Sequence, residues 1–230
     1  MIKLIGTMHR KDGMSVEDYQ AYWLDVHAPI IAAVPGLRRY VQSHSLPEVY
    51  DDFPQAYDGM AEAWFDDLEA YRAALASPQW QAAVVDAANF IGPGGARLLV
   101  TEVPIIDAYP SARARASMVK YCGFLTRLPH LSVEQFQTHW RDVHAPLVVK
   151  DLTGMLRYVQ NHALVETYGT ANAPTFDGVP QAWFESLEAV PPGLGRPRNG
   201  PPTSAASIDS ENVFVQPIPA TLSREIVIVD

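Results

Sequence analysis

The sequence contains only one cysteine, Cys122, among its 230 residues. A lone cysteine excludes an internal disulfide framework and any metal site that needs several thiolates. Because Cys122 stands in an apolar stretch, we expect it to be a core residue rather than a nucleophile. Apolar runs fall far short of the ~20 residues that span a bilayer, and the first residues lack the long apolar core of a secretory signal. We therefore expect a soluble, cytoplasmic protein that has no membrane partner.

Positive charge is scarce as well. The 17 Lys and Arg residues are outnumbered by 26 Asp and Glu residues, which gives a formal net charge of -9 at pH 7. An acidic chain without a basic cluster argues against nucleic acid as a partner. Hydrophobic residues make up 48% of the chain, which is enough for a packed core. These counts are typical of a globular protein, and we expect a small molecule as its partner.

The same sequence pattern occurs twice along the chain. Residues 22–29 recur as 139–146, residues 36–44 as 154–162, and residues 58–65 as 177–184. The order is kept and the offset changes by only one residue at a time, which indicates a duplication. We predict two units, residues 1–110 and 116–230, joined by a polar linker.

Each unit predicts the element order βαββαβ. In the first unit the predicted strands are residues 2–8, 37–46, 60–65 and 98–106, and the predicted helices begin at Ser15 and cover residues 68–90 with a break at Ser77-Pro78. The apolar stripe of the first helix is Val16, Tyr19, Trp23, Val26 and Ile30. Pro29 lacks an amide hydrogen and should kink or end that helix.

This element order is that of a ferredoxin-like α+β unit, with an antiparallel sheet and helices on one side. The other face of the sheet needs cover, and two units in one chain provide it by meeting face to face. We therefore expect either a monomer in which the two units of one chain form a pseudo-dimer, or a homodimer of two chains.

Two histidines occupy equivalent positions before an Ala-Pro pair. His27 and His144 each follow a tryptophan by four residues, which places them on the helix face of Trp23 and Trp140. An imidazole titrates near neutrality and can move a proton. A histidine beside a broken helix end can equally cap free carbonyls. Both interpretations stay open.

A second pair of histidines lies on a strand face. Because strand side chains alternate, His44 shares its face with Tyr40 and Gln42. The second unit repeats this face with Tyr158 and His162. A phenol, an amide and an imidazole in one row can line a polar-tipped pocket. The alternative is a buried chain of structural hydrogen bonds.

The third strand carries a difference between the copies. Glu62 and Trp64 of the first unit correspond to Gln181 and Trp183 of the second. Glu62 could act as a general base in the first unit only, or it could be an ordinary strand-face carboxylate. Together with two histidines of its unit it would suit a divalent metal, but no ligand spacing demands one, and we predict no metal site.

These residues together resemble a known family. The pattern Tyr22-Trp23-x-x-x-His27-x-Pro29, then Pro35-Gly36-Leu37-x-x-Tyr40, then Asp58-Gly59-x-x-x-x-Trp64-Phe65 is similar to the EthD-like family of the dimeric α+β barrel superfamily. The second copy matches it at Trp140, His144, Pro146, Gly154, Tyr158, Asp177, Gly178, Trp183 and Phe184. The resemblance covers nearly the whole chain. It implies two ferredoxin-like units in tandem that form one dimeric α+β barrel within the chain.

The resemblance also implies chemistry without a cofactor, in a pocket between the sheet and the helices. Relatives include lactone isomerases, polyketide cyclases, dehydratases and cofactor-independent monooxygenases. The stretch Phe90-Ile91-Gly92-Pro93 looks like methylmuconolactone isomerases in particular. In the isomerase-like relatives, histidines that match His27 by motif belong to the pocket.

The second unit departs from this pattern between Pro191 and Pro202. Prolines and glycines there interrupt a helix that the first unit keeps. The resulting loop is expected to be a lid over a pocket, or the mark of a unit that has lost its function. Together with the change from Glu62 to Gln181, it favours the first unit as the active one.

We expect an isomerase, cyclase, dehydratase or lyase that uses histidine acid–base chemistry on a small aromatic, phenolic or lactone-like metabolite. His27 or His44 would move the proton, with Glu62 as a further candidate base, and Tyr40 would hydrogen-bond the developing oxyanion. The predicted substrate-binding residues are Trp23, Gln42, Trp64, Phe90, His144, Tyr158, His162 and Trp183. A cofactor-independent monooxygenase and a non-catalytic binding or accessory protein are the alternatives.

Overall fold

The structure, a computed structural model, describes residues 1–108, 111, 114, 117–195 and 200–230. Its strands are β1 (Ile2–Met8), β2 (Arg39–Ser45), β3 (Gly59–Phe65), β4 (Arg97–Ile106), β5 (Val119–Gly123), β6 (Arg157–Ala163), β7 (Gly178–Phe184) and β8 (Ala220–Val229). Its helices are α1 (Val16–Tyr22), α2 (Ala28–Ala32), α3 (Leu68–Leu75), α4 (Pro78–Ala87), α5 (Val133–His139), α6 (Ala145–Asp151) and α7 (Ala205–Ser210). Wide π-helical turns at Trp23–His27 and Trp140–His144 join α1 to α2 and α5 to α6. The predicted unit boundaries at residues 110 and 116 lie outside the described residues.

The predicted elements of the first unit agree with the structure. The break in the second helical segment is confirmed between α3 and α4, where Ser77 Oγ accepts a hydrogen bond from the backbone amide of Trp80 at 3.2 Å. Ser15 and Ser132 cap α1 and α5 in the same way. These caps satisfy amides that a helix leaves unpaired, which is why the serines mark the helix starts. None of the helices described is long and apolar enough to cross a membrane.

Pro29 reshapes the first helical segment rather than ending it. The chain continues from α1 through the π turn into α2, and the Ala28 amide bonds the carbonyl of Trp23, five residues back. Pro29 stands in the first turn of α2, where a missing amide hydrogen is tolerated. The wide turn shifts the buried face, so that His27 is buried whereas Val26 is 43% exposed. The predicted burial of Val26 is therefore wrong.

The eight strands in the described part of the chain form one closed barrel in the order β1-β3-β2-β8-β5-β7-β6-β4. The last strand of each unit pairs with the second strand of the other unit, β4 with β6 and β8 with β2. Each unit therefore covers the open sheet edges of the other, which closes the barrel. This confirms the predicted α+β pseudo-dimer of two ferredoxin-like units within one chain.

Side chains alternate between the inside of the barrel and the space under the helices. On β3, Ala63 and Phe65 pack in a core cluster with side chains of α2, α3 and α4. Met60 packs with residues of both units inside the barrel, and Glu62 forms ion pairs there with lysines of both units. The sheet separates these two environments, so the alternation decides which of the predicted site residues can meet.

Candidate active site

A cavity of about 800 Å³ lies between the sheet and the helices of the second unit. Its floor includes Tyr121, Tyr158 and Ala182 of the sheet, and the imidazole of His144 lines it as well. Apolar lining is provided by Leu125, Trp140, Val148, Leu152, Met155 and Phe214. A largely apolar cavity of this size with a few polar groups suits a small organic ligand.

The cavity lies where the second unit has a loop in place of helix. The described part of the loop between Pro191 and Pro202 forms one wall of it. The first-unit equivalents of the three floor residues are Leu4, Tyr40 and Ala63. In that unit, side chains of α3 and α4 pack directly against them in one core cluster. The sequence favoured the first unit as the active one, whereas this cavity belongs to the second.

His144 is oriented by a carboxylate. Its Nδ1 lies 2.8 Å from Oδ2 of Asp209, on α7. Because an ionised carboxylate only accepts hydrogen bonds, Nδ1 carries the proton and Nε2 keeps its lone pair. Burial lowers the pKa of His144, although Asp209 opposes this effect. The ring is therefore neutral near pH 7, as a general base must be.

The same carboxylate binds a second histidine, which has no counterpart in the first copy. His139 Nε2 lies 2.8 Å from Oδ1 of Asp209, and the His139 side chain is 35% exposed. In the first unit Asp86 binds His27 Nδ1 at 2.8 Å and the Tyr22 hydroxyl at 2.7 Å. A comparison of features shared by the two copies could not find His139, because a tyrosine replaces it in the first copy.

The first unit thus keeps its own Asp–His pair. Burial lowers the pKa of His27, and Asp86 opposes this effect. Phe90 packs against His27 with ring centroids 4.9 Å apart, as Phe214 packs against His144 at 4.9 Å. Phe90, predicted to bind substrate, therefore lies beside His27, a predicted catalytic residue.

The strand histidines belong to hydrogen-bonded networks under the helices. His44 Nε2 lies 2.9 Å from Oε1 of Gln42, whose Nε2 donates to the Tyr40 hydroxyl at 3.2 Å. The indole of Trp23 stacks on His44 with centroids 4.6 Å apart and donates to the same hydroxyl at 3.2 Å. The second unit repeats the stacking and the glutamine contacts with Trp140, Tyr158, Gln160 and His162. The structure therefore brings together the predicted residues of this face in each unit.

Both strand histidines are held in the neutral form. Burial lowers the pKa of His44 to about 4, and burial together with Arg141 lowers that of His162 to about 4. His44 borders a separate groove of about 490 Å³ beside Arg224. His162 is absent from the lining of the second-unit cavity, whereas its stacking partner Trp140 is part of it. This geometry favours a positioning role for the strand histidines over proton transfer.

Glu62, Trp64 and Trp183 are separated from these groups by the sheet. Inside the barrel, Glu62 lies 2.5 Å from the Lys3 ammonium and also pairs with Lys120. Burial alone would raise the pKa of Glu62, but the charges of these two lysines lower it. The rings of Trp64 and Trp183 lie 4.7 and 4.9 Å from the Lys3 and Lys120 ammonium groups. An ionised and doubly paired carboxylate is poorly suited to act as a general base.

The difference between Glu62 and Gln181 has a structural cause. The two side chains meet inside the barrel, where Gln181 Nε2 donates to Glu62 Oε1 at 2.9 Å, and Gln181 Oε1 accepts from Lys3 at 3.1 Å. A glutamate in both copies would bring two carboxylates together at this distance. The amide in one copy replaces that repulsion by a hydrogen bond, without any need for a catalytic difference.

Motif glycines of the two units make room for the motif tryptophans. A Cβ atom at Gly59 would lie 2.6 Å from Cζ3 of Trp23, and one at Gly178 would lie 2.4 Å from Cζ3 of Trp140. The aspartate before each glycine binds an arginine and a tyrosine of its own unit. In each unit, these motif residues therefore serve the packing of the motif tryptophan against the sheet.

Cys122 is buried inside the barrel, which confirms it as a core residue. Burial raises the pKa of its thiol to about 12, so the thiol stays protonated at neutral pH. Across the part of the chain that the structure describes, no group of three or more His, Cys, Asp or Glu side chains is arranged to hold a metal ion.

Comparison with known proteins gives the family of the chain. The EthD domain matches residues 11–94 and 128–197, one segment in each unit. The chain belongs to the EthD domain family. His27, Asp86 and His144 lie within the matched segments, whereas Asp209 lies beyond the end of the second segment.

Individual proteins are similar to the chain over part or all of its length. The chain is similar to the dehydratase UstZ from Ustilaginoidea virens, with 34% identity over 65 residues that make up 27% of this chain and 44% of the dehydratase. An anthrone oxidase-like protein shares the fold with a TM-score of 0.67 at 9% identity, over 100% of this chain and 94% of that one. A proposed monooxygenase from Lactobacillus acidophilus NCFM gives a TM-score of 0.53 at 10% identity, over 98% and 94% of the two chains. At identities of 9% and 10%, the likeness to these two structures shows a shared fold and no more.

Proposed function

We propose that this EthD protein is a cofactor-independent enzyme of the isomerase, cyclase, dehydratase or lyase type. Its substrate would be a small aromatic, phenolic or lactone-like metabolite with an acidic carbon-bound proton, held in the second-unit cavity. The observation that carries this proposal is the buried His144 on the wall of that cavity, which the partly buried Asp209 orients. The local similarity to a dehydratase supports the same class of chemistry.

The proton transfer follows from the state of the side chains. Nε2 of His144 would take the carbon-bound proton, and Asp209 would stabilise the imidazolium that forms. The Tyr158 hydroxyl would donate a hydrogen bond to the developing enolate oxygen. Burial raises the pKa of Tyr158 to about 12, so this donor stays protonated at neutral pH.

The imidazolium completes the reaction by returning its proton. Delivered to a second carbon, the proton gives an isomer of the substrate, and delivered to a departing hydroxyl it releases water. Trp140 and Met155 give the cavity apolar walls near the base. Beside apolar walls, the hydrogen bond to the enolate oxygen would be stronger than the same bond in bulk water.

The test of this proposal measures proton exchange, which does not require the natural substrate. 2-Tetralone, a small aromatic ketone with acidic C–H bonds, is incubated with the protein in D₂O, and deuterium incorporation is followed by ¹H NMR. We expect the wild type to accelerate exchange. His144→Gln removes the base while filling similar space, and it should lower the enzymatic rate by about 100-fold or more.

The duplication provides a matched control. His27→Gln makes the same change in the Asp–His pair of the first unit, and the wild-type exchange rate should be retained. Exchange that survives in His144→Gln but is lost in His27→Gln would place the reaction in the first unit. A wild-type protein that does not accelerate exchange would contradict the proposed proton abstraction.

A further inference from the structure

The floor of the second-unit cavity is a row of side chains in register across three strands. Tyr121 on β5 pairs with Ala182 on β7, and Ala182 pairs with Tyr158 on β6. All three residues line the cavity. Because neighbouring strands lie about 4.8 Å apart, the Cα atoms of the two tyrosines are separated by roughly 10 Å. The small side chain of Ala182 leaves the space between the two phenol rings open.

The two phenol rings lean along their strands in the same direction. The Tyr158 hydroxyl accepts a hydrogen bond from Gln160, two residues further along β6, at 3.2 Å. The Tyr121 hydroxyl reaches over Gly123, two residues further along β5, where an added Cβ would lie 2.8 Å from it. Since β5 and β6 both run antiparallel to β7, they are parallel to each other. The hydroxyls therefore lie toward the same end of the floor, on either side of Pro180.

Both hydroxyls are available to donate to a ligand. Tyr158 accepts from Gln160, which leaves its own proton free. Tyr121 is 7% exposed and lines the same cavity. Burial raises the pKa of both tyrosines, so both keep their protons at neutral pH. A phenol hydroxyl beside a cavity can donate a hydrogen bond to an oxygen atom of a ligand bound there.

The first unit shows that the second hydroxyl is specific to the cavity. Its equivalent row is Leu4, Ala63 and Tyr40 in the same register. Side chains of α3 and α4 cover that row, and a leucine stands where the second unit has Tyr121. The additional phenol thus occurs in the unit whose sheet face is open to a ligand.

We propose that the second-unit cavity selects a flat aromatic ligand that carries an oxygen atom on each of two opposite edges, and that Tyr121 recognises one of these oxygens. The ring of such a ligand lies over Ala182 and Pro180, and the second oxygen bonds Tyr158. This inference deepens the proposed function and rests on it, because it takes the same cavity as the substrate site.

Two probes that differ by one hydroxyl test the inference. 2,6-Dihydroxynaphthalene has an oxygen on both edges, whereas 2-naphthol has one. Their binding to the full chain is measured by isothermal titration calorimetry at pH 7, where both are neutral. The wild type should bind the diol more tightly than the naphthol. Tyr121→Phe should weaken diol binding by about fivefold to tenfold and leave naphthol binding within about twofold.

A second variant and a stability control keep the test decisive. Tyr121→Leu introduces the residue of the first unit and should abolish the preference for the diol, while thermal unfolding checks that each variant is folded. A preference that persists in both variants overturns the inference, as does wild-type protein that binds neither probe. The deuterium exchange by His144 is measured separately, so a failure of this inference is distinguished from a failure of the proposed function.

Discussion

Replacing Gln181 with glutamate would place a second carboxylate beside Glu62 inside the barrel. The Gln181 Nε2 and Glu62 Oε1 atoms are 2.9 Å apart. At that distance two unit charges repel by about 6 kcal/mol with an effective dielectric constant of about 20. The Lys3 ammonium lies 3.1 Å from the side-chain oxygen of Gln181, and at the same dielectric constant it would attract the new carboxylate by about 5 kcal/mol. The lost hydrogen bond and the burial of a new charge then decide the outcome.

We expect Gln181→Glu to lower the free energy of unfolding by about 3 kcal/mol at pH 7.5. Two carboxyl groups in contact share a proton, so the folded-state pKa of one of them rises above its unfolded value. Such a group stabilises the fold at low pH and loses that contribution as the pH rises. The deficit of the variant should therefore shrink between pH 7.5 and pH 5.5, which urea unfolding monitored by tryptophan fluorescence measures directly.

The pseudo-symmetry supplies a compensating variant. Glu62→Gln combined with Gln181→Glu keeps one carboxylate and one amide at the contact, with their positions exchanged. We expect the double variant to recover at least half of the stability lost in Gln181→Glu. Equal unfolding free energies for wild type and Gln181→Glu at pH 7.5 would refute the explanation of the copy difference, as would a double variant no more stable than the single one.

Two further predictions concern the histidines. Asp209 raises the pKa of His144 against the effect of burial, so Asp209→Asn should lower the deuterium exchange rate and move the acid limb of its pH profile to lower pH; an unmoved limb would contradict the pairing. His44 and His162 have pKa values of about 4 in the folded protein against an ordinary value of 6.5. The unfolded chain therefore takes up protons first as the pH falls from 6.5 to 4, and each histidine should contribute about 1.4 kcal/mol per pH unit to the loss of stability. His162→Gln should reduce the slope of stability against pH by about 1.4 kcal/mol per pH unit in urea unfolding, and an unchanged slope would count against the buried neutral form.

Local signals were sufficient for the elements and the duplication. Ser15 and Ser77 mark helix starts because a side-chain oxygen near the first amides is a local requirement. The alternation on β2 correctly placed Tyr40, Gln42 and His44 on one face, since strand geometry alone requires it. The position of Val26 was missed because the π turn depends on contacts that a regular helical period does not contain.

The partners of the site residues could not be obtained in this way. His139 and His144 share Asp209, which is 65 residues beyond His144 in the chain, and no local pattern records such a contact. A comparison of the two units also finds only the residues that both units contain. It therefore passed over Tyr121 and His139, which are replaced by other residues in the first unit.

By itself, the sequence determined that the protein is a tandem pair of βαββαβ units, because periodicity, caps and repetition are carried by neighbouring residues. Only the tertiary structure decided which faces the strands turn toward each other. Barrel closure placed Glu62 among buried lysines on one side of the sheet and left the histidines on the other. In the first unit, side chains of helices pack against the sheet face. In the second unit a loop stands in place of part of these helices, and a cavity lies beside His144 between the loop and the sheet.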